Sequence, residues 1–291
     1  MKPAAFEYHA PETVAETVAL LAELGEDAKI LAGGQSLVPV LAMRLAVFEH
    51  LVDLRKVAEL RGIERTDGSL RIGAGTTQAA VEHSAEVTAA APLLARAIPL
   101  IGHFQIRNRG TVGGSIAHAD AAAEIPAVAL AVDASLEAVS PRGPRSIPAT
   151  EFFTGMWDTV LAADELLTGV SFPVATGRSG FAVEEFARRH GDFAIAGAAV
   201  AVELDADDRI CRCGIGLFGL GSTPERAATT EAALLGCPVA EAPAEDVGQA
   251  AMAALAAVPS DLHGPADYRR RVGAAMVARA WRLAVEEATT P

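Results

Sequence analysis

Two glycine-centred segments, Ala32-Gly33-Gly34-Gln35-Ser36 and Thr111-Val112-Gly113-Gly114-Ser115, constrain this chain more than any other part of it. In each, a Gly-Gly pair is flanked by hydroxyl or amide side chains. A backbone without Cβ reaches positive φ and turns successive N–H groups toward an anion, the geometry of a nest that cradles a phosphate. Two such nests match the two halves of a pyrophosphate. Ahead of the first pair, Lys29-Ile30-Leu31 reads as the end of a short buried strand. After it, Ser36 precedes Leu37, Val38, Leu41 and Leu45, which suits the N-cap of a short helix. Strand, double glycine and helix start make an anion-site layout. Either pair alone would be an ordinary tight turn in a chain with 26 glycines.

An anion bound here must be held by local donors, because the chain as a whole repels it. The formal net charge is -13 over 291 residues, which argues against nucleic acid or anionic membrane as the main partner. No apolar run approaches the roughly 18 residues of a membrane helix; the best, Phe193 to Val202, ends at Glu203. The start, Met1-Lys2-Pro3-Ala4-Ala5, has none of the build of a signal peptide. Cys211, Cys213 and Cys237 cannot all pair, so reduced thiols and a cytoplasmic location are expected. Three cysteines also fall short of the usual four-cysteine iron–sulfur set, so any electrons handled here need another carrier.

Apolar positions Val14, Val18, Leu21 and Leu24 predict a helix from Pro11, as first helical residue, to a stop at Gly25. Strands are expected at His50-Leu51-Val52-Asp53, Leu70-Arg71-Ile72-Gly73, Ser135 to Val139 and Leu166 to Phe172, with a helix from Val87 to Ile98. Gly102 to Gly110 has neither period and reads as an interface loop of the kind that carries function. Pro173 to Gly180 marks a boundary. Beyond it come strands near 181 to 187, 194 to 204 and 209 to 220, then helices starting at Pro224, near Ala244 and near Asp267.

Gly214-Ile215-Gly216-Leu217-Phe218-Gly219 matches the dinucleotide fingerprint letter for letter. It is rejected, because in that fingerprint the third glycine lies inside a helix, whereas here the first natural helical residue is Pro224. His118-Ala119-Asp120 with Glu124 invites a metal reading, but three well-separated ligands with a second histidine are lacking. Hydrogen bonding to a ribityl or phosphate group, or loop capping, is the better use, and no metal is assigned. Arg107 and Arg109 could steer an anion or simply be loop residues. Arg269-Arg270-Arg271 reads as a solvated helix face or a subunit contact. No hydrolase elbow, Walker sequence or zincin motif occurs.

Lys29 to Leu37 and Arg107 to Asp120, read whole, resemble the FAD-binding medium subunit of molybdenum hydroxylases, the group of aerobic carbon monoxide dehydrogenase and xanthine dehydrogenase. Asp164-Glu165-Leu166-Leu167, Arg188 to Ala194 and Ser222 to Ala227 extend the resemblance over nearly the whole length. It implies an α+β fold. A two-lobed FAD-binding domain of the vanillyl-alcohol-oxidase-like type spans subdomains 1–56 and 57–175, and a C-terminal domain with a three-stranded antiparallel sheet and helices spans 176–291. It also implies cofactor contacts at Leu31, Ala32, Gly33, Gly34, Gln35, Ser36, Leu37, Thr111, Gly113, Gly114 and Ser115. Further contacts fall at His118, Asp120 and Glu124, with Leu166 at the flavin ring and Phe193 bordering it. Ala121 stands where the family commonly has proline.

The function so implied is electron transfer. Electrons would pass from two 2Fe–2S clusters on a small partner to FAD on this chain and then to an external acceptor. A large partner with the molybdenum cofactor would hydroxylate the substrate, the whole forming a dimer of heterotrimers. No catalytic residue is assigned to this chain. A self-sufficient flavin oxidase or reductase, and an FAD-binding assembly subunit without turnover, are the competing readings; the first needs an acid, base or tyrosine over the ring, and the only tyrosines are Tyr8 and Tyr268.

Overall fold

The computed structural model describes residues 2–290. Strand β1 (Glu7–His9), helix α1 (Val14–Leu24), β2 (Ala28–Leu31), α2 (Leu37–Ala42) and β3 (His50–Asp53) build a parallel sheet in the order β1-β3-β2. Parallel neighbours need crossovers, which α1 and the segment carrying α2 supply. Helix α1 starts at Val14, later than Pro11, because the Thr13 side chain accepts from the Glu16 amide at 3.1 Å and takes the N-cap. Val18 and Leu21 are buried, as their spacing predicts, and Gly25 ends the helix at φ 56°.

Strands β4 (Ile63–Thr66) and β5 (Ser69–Gly73) open a second unit. A helical run follows: α3 (Gln78–Glu82), α4 (Ala85–Ala90), α5 (Pro92–Ala97), α6 (Phe104–Arg107), α7 (Val112–His118) and α8 (Glu124–Ala131). The chain then returns through β6 (Ser135–Ser140), β7 (Gly143–Pro148), the hairpin β8 (Phe153–Gly155) and β9 (Asp158–Thr159), and β10 (Leu166–Pro173). The sheet order β4-β5-β10-β6-β7 places β10 at the centre. The single helix expected over Val87 to Ile98 is two, because Pro92 begins a new helix where the old one ends. The region expected to be irregular from Gly102 to Gly110 contains the short α6.

The last unit is an antiparallel meander of three long strands, β11 (Arg178–Phe186), β12 (Ala196–Leu204) and β13 (Ile210–Phe218), with a two-residue β14 (Glu225–Arg226) at the edge. Helices α9 (Ala228–Leu234), α10 (Ala244–Ala253) and α11 (Ala266–Thr289) complete it. Pro224 precedes β14 instead of starting a helix; Glu225 and Arg226 pair with Leu217 and Gly216, which delays α9 to Ala228. Helices α10 and α11 share a core with this sheet through Met252, Met276, Val277 and Trp281. All eight residues of α8 are buried, and this apolar helix touches both β12 and β13. Gly214 and Gly216 face its backbone: a Cβ on either would strike the carbonyl of Ala131 or Ala127. The first two glycines of the rejected fingerprint are thus contact residues of a strand, and Gly219 turns the chain beyond it at φ 72°.

Arg269 corrects a further expectation. It is 4 % exposed, donates to the Ile195 and Gly219 carbonyls at 2.6 and 2.8 Å, and forks onto Asp261 at 2.7 and 2.8 Å. Arg270 donates to the Met252 carbonyl at 2.7 Å, so of the triplet only Arg271 is exposed.

Candidate functional site

The first glycine turn sits where β2 leaves the sheet. Gly34 takes φ 74°, which only a residue without Cβ adopts freely, and its carbonyl accepts from Val38 N at 3.1 Å. The N–H groups of Gly34, Gln35, Ser36 and Leu37 find no acceptor among the described residues. Ser36 stands at the N-cap position as expected, but in a helical conformation (φ -97°, ψ -47°) and without a capping bond from its hydroxyl. Gln35 braces the turn by donating from Nε2 to the Gly33 carbonyl at 3.0 Å. Four consecutive donors are therefore left for something outside the polypeptide.

The second turn is built differently. Val112 N donates to Thr76 O (3.0 Å), Gly113 N to Ala74 O (2.9 Å), Gly114 N to Thr111 Oγ1 (3.0 Å) and Ser115 N to Thr111 O (3.1 Å). Its amides are spent inside the fold, so the second nest expected from the sequence does not form. Thr111 caps α7 with its own side chain, and the segment is laced to the chain around Ala74 to Gln78. Its glycines serve approach. A Cβ on Gly113 would strike Ala74, and one on Gly114 would stand 2.7 Å from Thr111 Oγ1 and 3.3 Å from the Ala32 Cβ.

Those contacts bring the two turns together. A Cβ on Gly33 would run into the Arg109 carbonyl and the Gly110 Cα, so the first turn lies directly against the backbone leading into the second. About eighty residues of sequence separation collapse into one seam, beside which the open amides of the first turn lie.

His118 ends α7, and Ala119 turns the chain at φ 53°. The imidazole stacks on Trp157, with centroids 6.2 Å apart and planes 8° from parallel. Asp120 accepts from the Ala122 amide at 2.9 Å and from Trp157 Nε1 at 3.4 Å. Burial lowers the His118 pKa; the Asp120 carboxylate, 3.9 Å away, works against this and Lys29 works with it. The ring is therefore neutral at pH 7 and offers one donor and one acceptor. Glu124 is 8 % exposed at the start of α8. Burial pushes its carboxyl up to about 8, against the opposing pull of its own amide, with Glu185 and Asp120 adding to the rise. Glu185, on β11, is itself raised to about 7 by burial. Glu124 thus carries a proton at neutral pH and can donate a hydrogen bond. Among the described residues, His118, Asp120 and Glu124 do not converge as a metal-ligand set.

Other expected residues are placed as follows. Arg107 is 8 % exposed and committed to structure, forking onto Glu82 at 2.8 and 2.9 Å and donating to the Ile101 and Gly102 carbonyls. It steers no anion. Arg109 is exposed and contributes its carbonyl to the seam. Leu166 is 1 % exposed, packed with Val52, Leu54 and Val57 in the core beneath the first sheet, so its side chain presents no surface to a ligand. Phe193 is 72 % exposed, on a loop whose Gly191 backbone meets the Gly102 carbonyl. Trp157 escaped the sequence reading. Its signal was the apolar pair Met156-Trp157 at a hairpin tip, both more than 60 % exposed.

Comparison with known proteins adds to this geometry. Residues 4–175 match the family model for the FAD binding domain in molybdopterin dehydrogenase, and residues 181–284 match that for the CO dehydrogenase flavoprotein C-terminal domain. The chain is 42% identical over 288 residues to the 6-hydroxypseudooxynicotine dehydrogenase complex subunit alpha of Paenarthrobacter nicotinovorans, covering 99% of this chain and 97% of that one. It is 39% identical over 284 residues to the carbon monoxide dehydrogenase medium chain of Hydrogenophaga pseudoflava, covering 98% of each. A chain of quinoline 2-oxidoreductase from Pseudomonas putida 86 superposes with a TM-score of 0.92 at 36% identity, over 100% of both. No helix among the described residues is long and apolar enough to cross a membrane.

Proposed function

The chain belongs to the family of FAD-binding medium subunits of molybdenum hydroxylases, and on that premise we propose that it is the electron-carrying subunit of a three-part complex. It is an oxidoreductase subunit. A large partner would hold the molybdenum cofactor, a small one two 2Fe–2S clusters, and the whole would assemble as a dimer of heterotrimers in the cytoplasm. FAD would supply the passage between single electrons arriving from the clusters and a pair leaving to the external acceptor.

This chain's own residues bind and orient. The observation that carries the reading is the row of four unpaired amides from Gly34 to Leu37, pressed against the second turn at Gly33. Those amides would take the pyrophosphate, and the Ser115 hydroxyl on α7 would be a further donor to it. Neutral His118 would donate or accept near the phosphate or ribityl without adding charge, and protonated Glu124 would be a further donor. A net-negative chain needs such local donors to hold an anion.

The tyrosines speak against a self-sufficient oxidase. The Tyr8 hydroxyl donates to Asp53 at 2.7 Å and accepts from Arg55 at 2.8 Å, and Tyr268 packs edge-on against Phe186. Relatives of nearly equal identity carry names with different substrates, 6-hydroxypseudooxynicotine and carbon monoxide. That accords with substrate selection on another subunit.

The isolated chain is expected to purify yellow, with flavin absorbance and no iron–sulfur bands, and to oxidise no organic substrate until both partners are added. Robust substrate oxidation by the chain alone overturns the proposal. Flavin that the assembled complex neither reduces nor reoxidises would instead identify an assembly subunit.

A further inference from the structure

On the first sheet, across β3 from the glycine turn, three side chains converge from two strands. Glu7 and His9 lie two residues apart on the edge strand β1 and so project from one face. In the parallel register Glu7 pairs with His50 at the start of β3. His9 Nε2 stands 3.2 Å from His50 Nδ1, and Glu7 Oε2 stands 3.6 Å from that same Nδ1. One ligand atom from each of the three lies within 4.8 Å of the other two. From this convergence of two imidazoles and a carboxylate we infer a binding site for one divalent cation of the zinc class at Glu7, His9 and His50.

Three lone pairs point at one spot. A proton between the two imidazoles serves two of the three converging atoms and leaves the carboxylate without a donor there; one cation serves all three. The 3.2 Å separation also fits the edge of a tetrahedron, which is about 3.3 Å for metal–nitrogen distances near 2.0–2.1 Å. Two imidazole nitrogens with one carboxylate oxygen make a donor set suited to zinc, with a fourth position left for water. The site has an entry path, since the Glu7 side chain is 76 % exposed while that of His50 is 19 % exposed. A bound ion would pin the edge strand β1 to the central strand β3.

The site is independent of the flavin proposal. All three strands run parallel, and His50 pairs with Ala28, three residues before the strand ends at Leu31 and the glycine turn begins. At about 3.3 Å per residue that places His50 some 10 Å from the turn along the strand. His9 is level with Ile30 but lies across the sheet from it, because β1 and β2 flank β3 on opposite sides.

The test is calorimetric titration of Zn2+ into the tag-free, metal-stripped full chain, with Mg2+ as control. Saturable binding of one Zn2+ per chain is expected, weakened at least about tenfold in His9→Ala and separately in His50→Gln, and less in Glu7→Gln. Retained flavin absorbance and circular dichroism show that each variant is folded, and substitutions on two different strands guard against one of them misfolding. Absence of saturable Zn2+ binding below about 1 mM, or binding that survives either histidine substitution, overturns the inference.

Discussion

The two glycine turns look alike in the sequence and do opposite work in the fold. In the first, Gly34 takes positive φ and four amides stay unpaired; in the second, every amide from Val112 to Ser115 already has a protein acceptor. The first is an open row of donors, which we propose takes an anion, and the second is a buttress whose glycines let α7 approach Ala74 and the first turn. A Gly-Gly pair therefore reports one of two things, a donor array or a close contact. Which of them holds depends on where neighbouring acceptors lie.

Substitutions can break this contrast. The largest effect is expected from Gly33→Val, whose side chain would be driven into the Arg109 carbonyl and Gly110 Cα, both backbone and unable to step aside cheaply. Flavin content after purification should fall by more than about tenfold, with destabilisation of about 1–3 kcal/mol from overpacking. Retention of full flavin content would show that the seam is not the cofactor site. Gly113→Ala should cost a similar 1–3 kcal/mol, roughly, through the clash with Ala74, read as a lower Tm, but release less flavin because no free donor is lost. Equal flavin loss in the two variants would erase the distinction drawn between the turns.

Smaller effects sharpen it. Thr111→Ala removes the cap of α7 and should cost about 1 kcal/mol in denaturant unfolding, within a range of about 0.5–2. The most gradual effect, with no single step, is a pH slope. Burial raises the Glu124 carboxyl to about 8, well above its ordinary 4.5, and Glu185 rises to about 7 by the same cause. The folded chain holds protons that the unfolded chain has released, so this contribution is complete below about pH 4.5 and is lost as pH climbs through 7 and 8. Each group can add a decline of up to about 1.4 kcal/mol per pH unit in that window. Melting curves from pH 5 to 9 should therefore fall less steeply for Glu124→Gln than for the parent. Identical slopes would mean that Glu124 is ionised in the folded chain.

Much of this fold is legible in the sequence. Strands 28 to 31, 50 to 53, 135 to 140 and 166 to 173 follow from short apolar or alternating runs bounded by turn residues, and α1 from the spacing of Val18 and Leu21. What was misread had non-local causes. Arg269 sits in a charge run that reads as solvated, yet its guanidinium is called inward by the Ile195 and Gly219 carbonyls. Pro224 looks like a helix start, but pairing of the next two residues with β13 outbids the local signal. His9 and His50 are 41 positions apart, so no motif could have joined them.

The sequence by itself determined where the backbone is free to turn its amides outward, because local freedom at Gly33 and Gly34 is a property of residue type. It determined the family as well, through the residues flanking both turns. Only the tertiary structure decided that the first turn keeps its donors while the second spends them. Hydrogen-bond satisfaction is a matter of which acceptors are adjacent, and Ala74 and Thr76 come beside α7 only once the second sheet has folded.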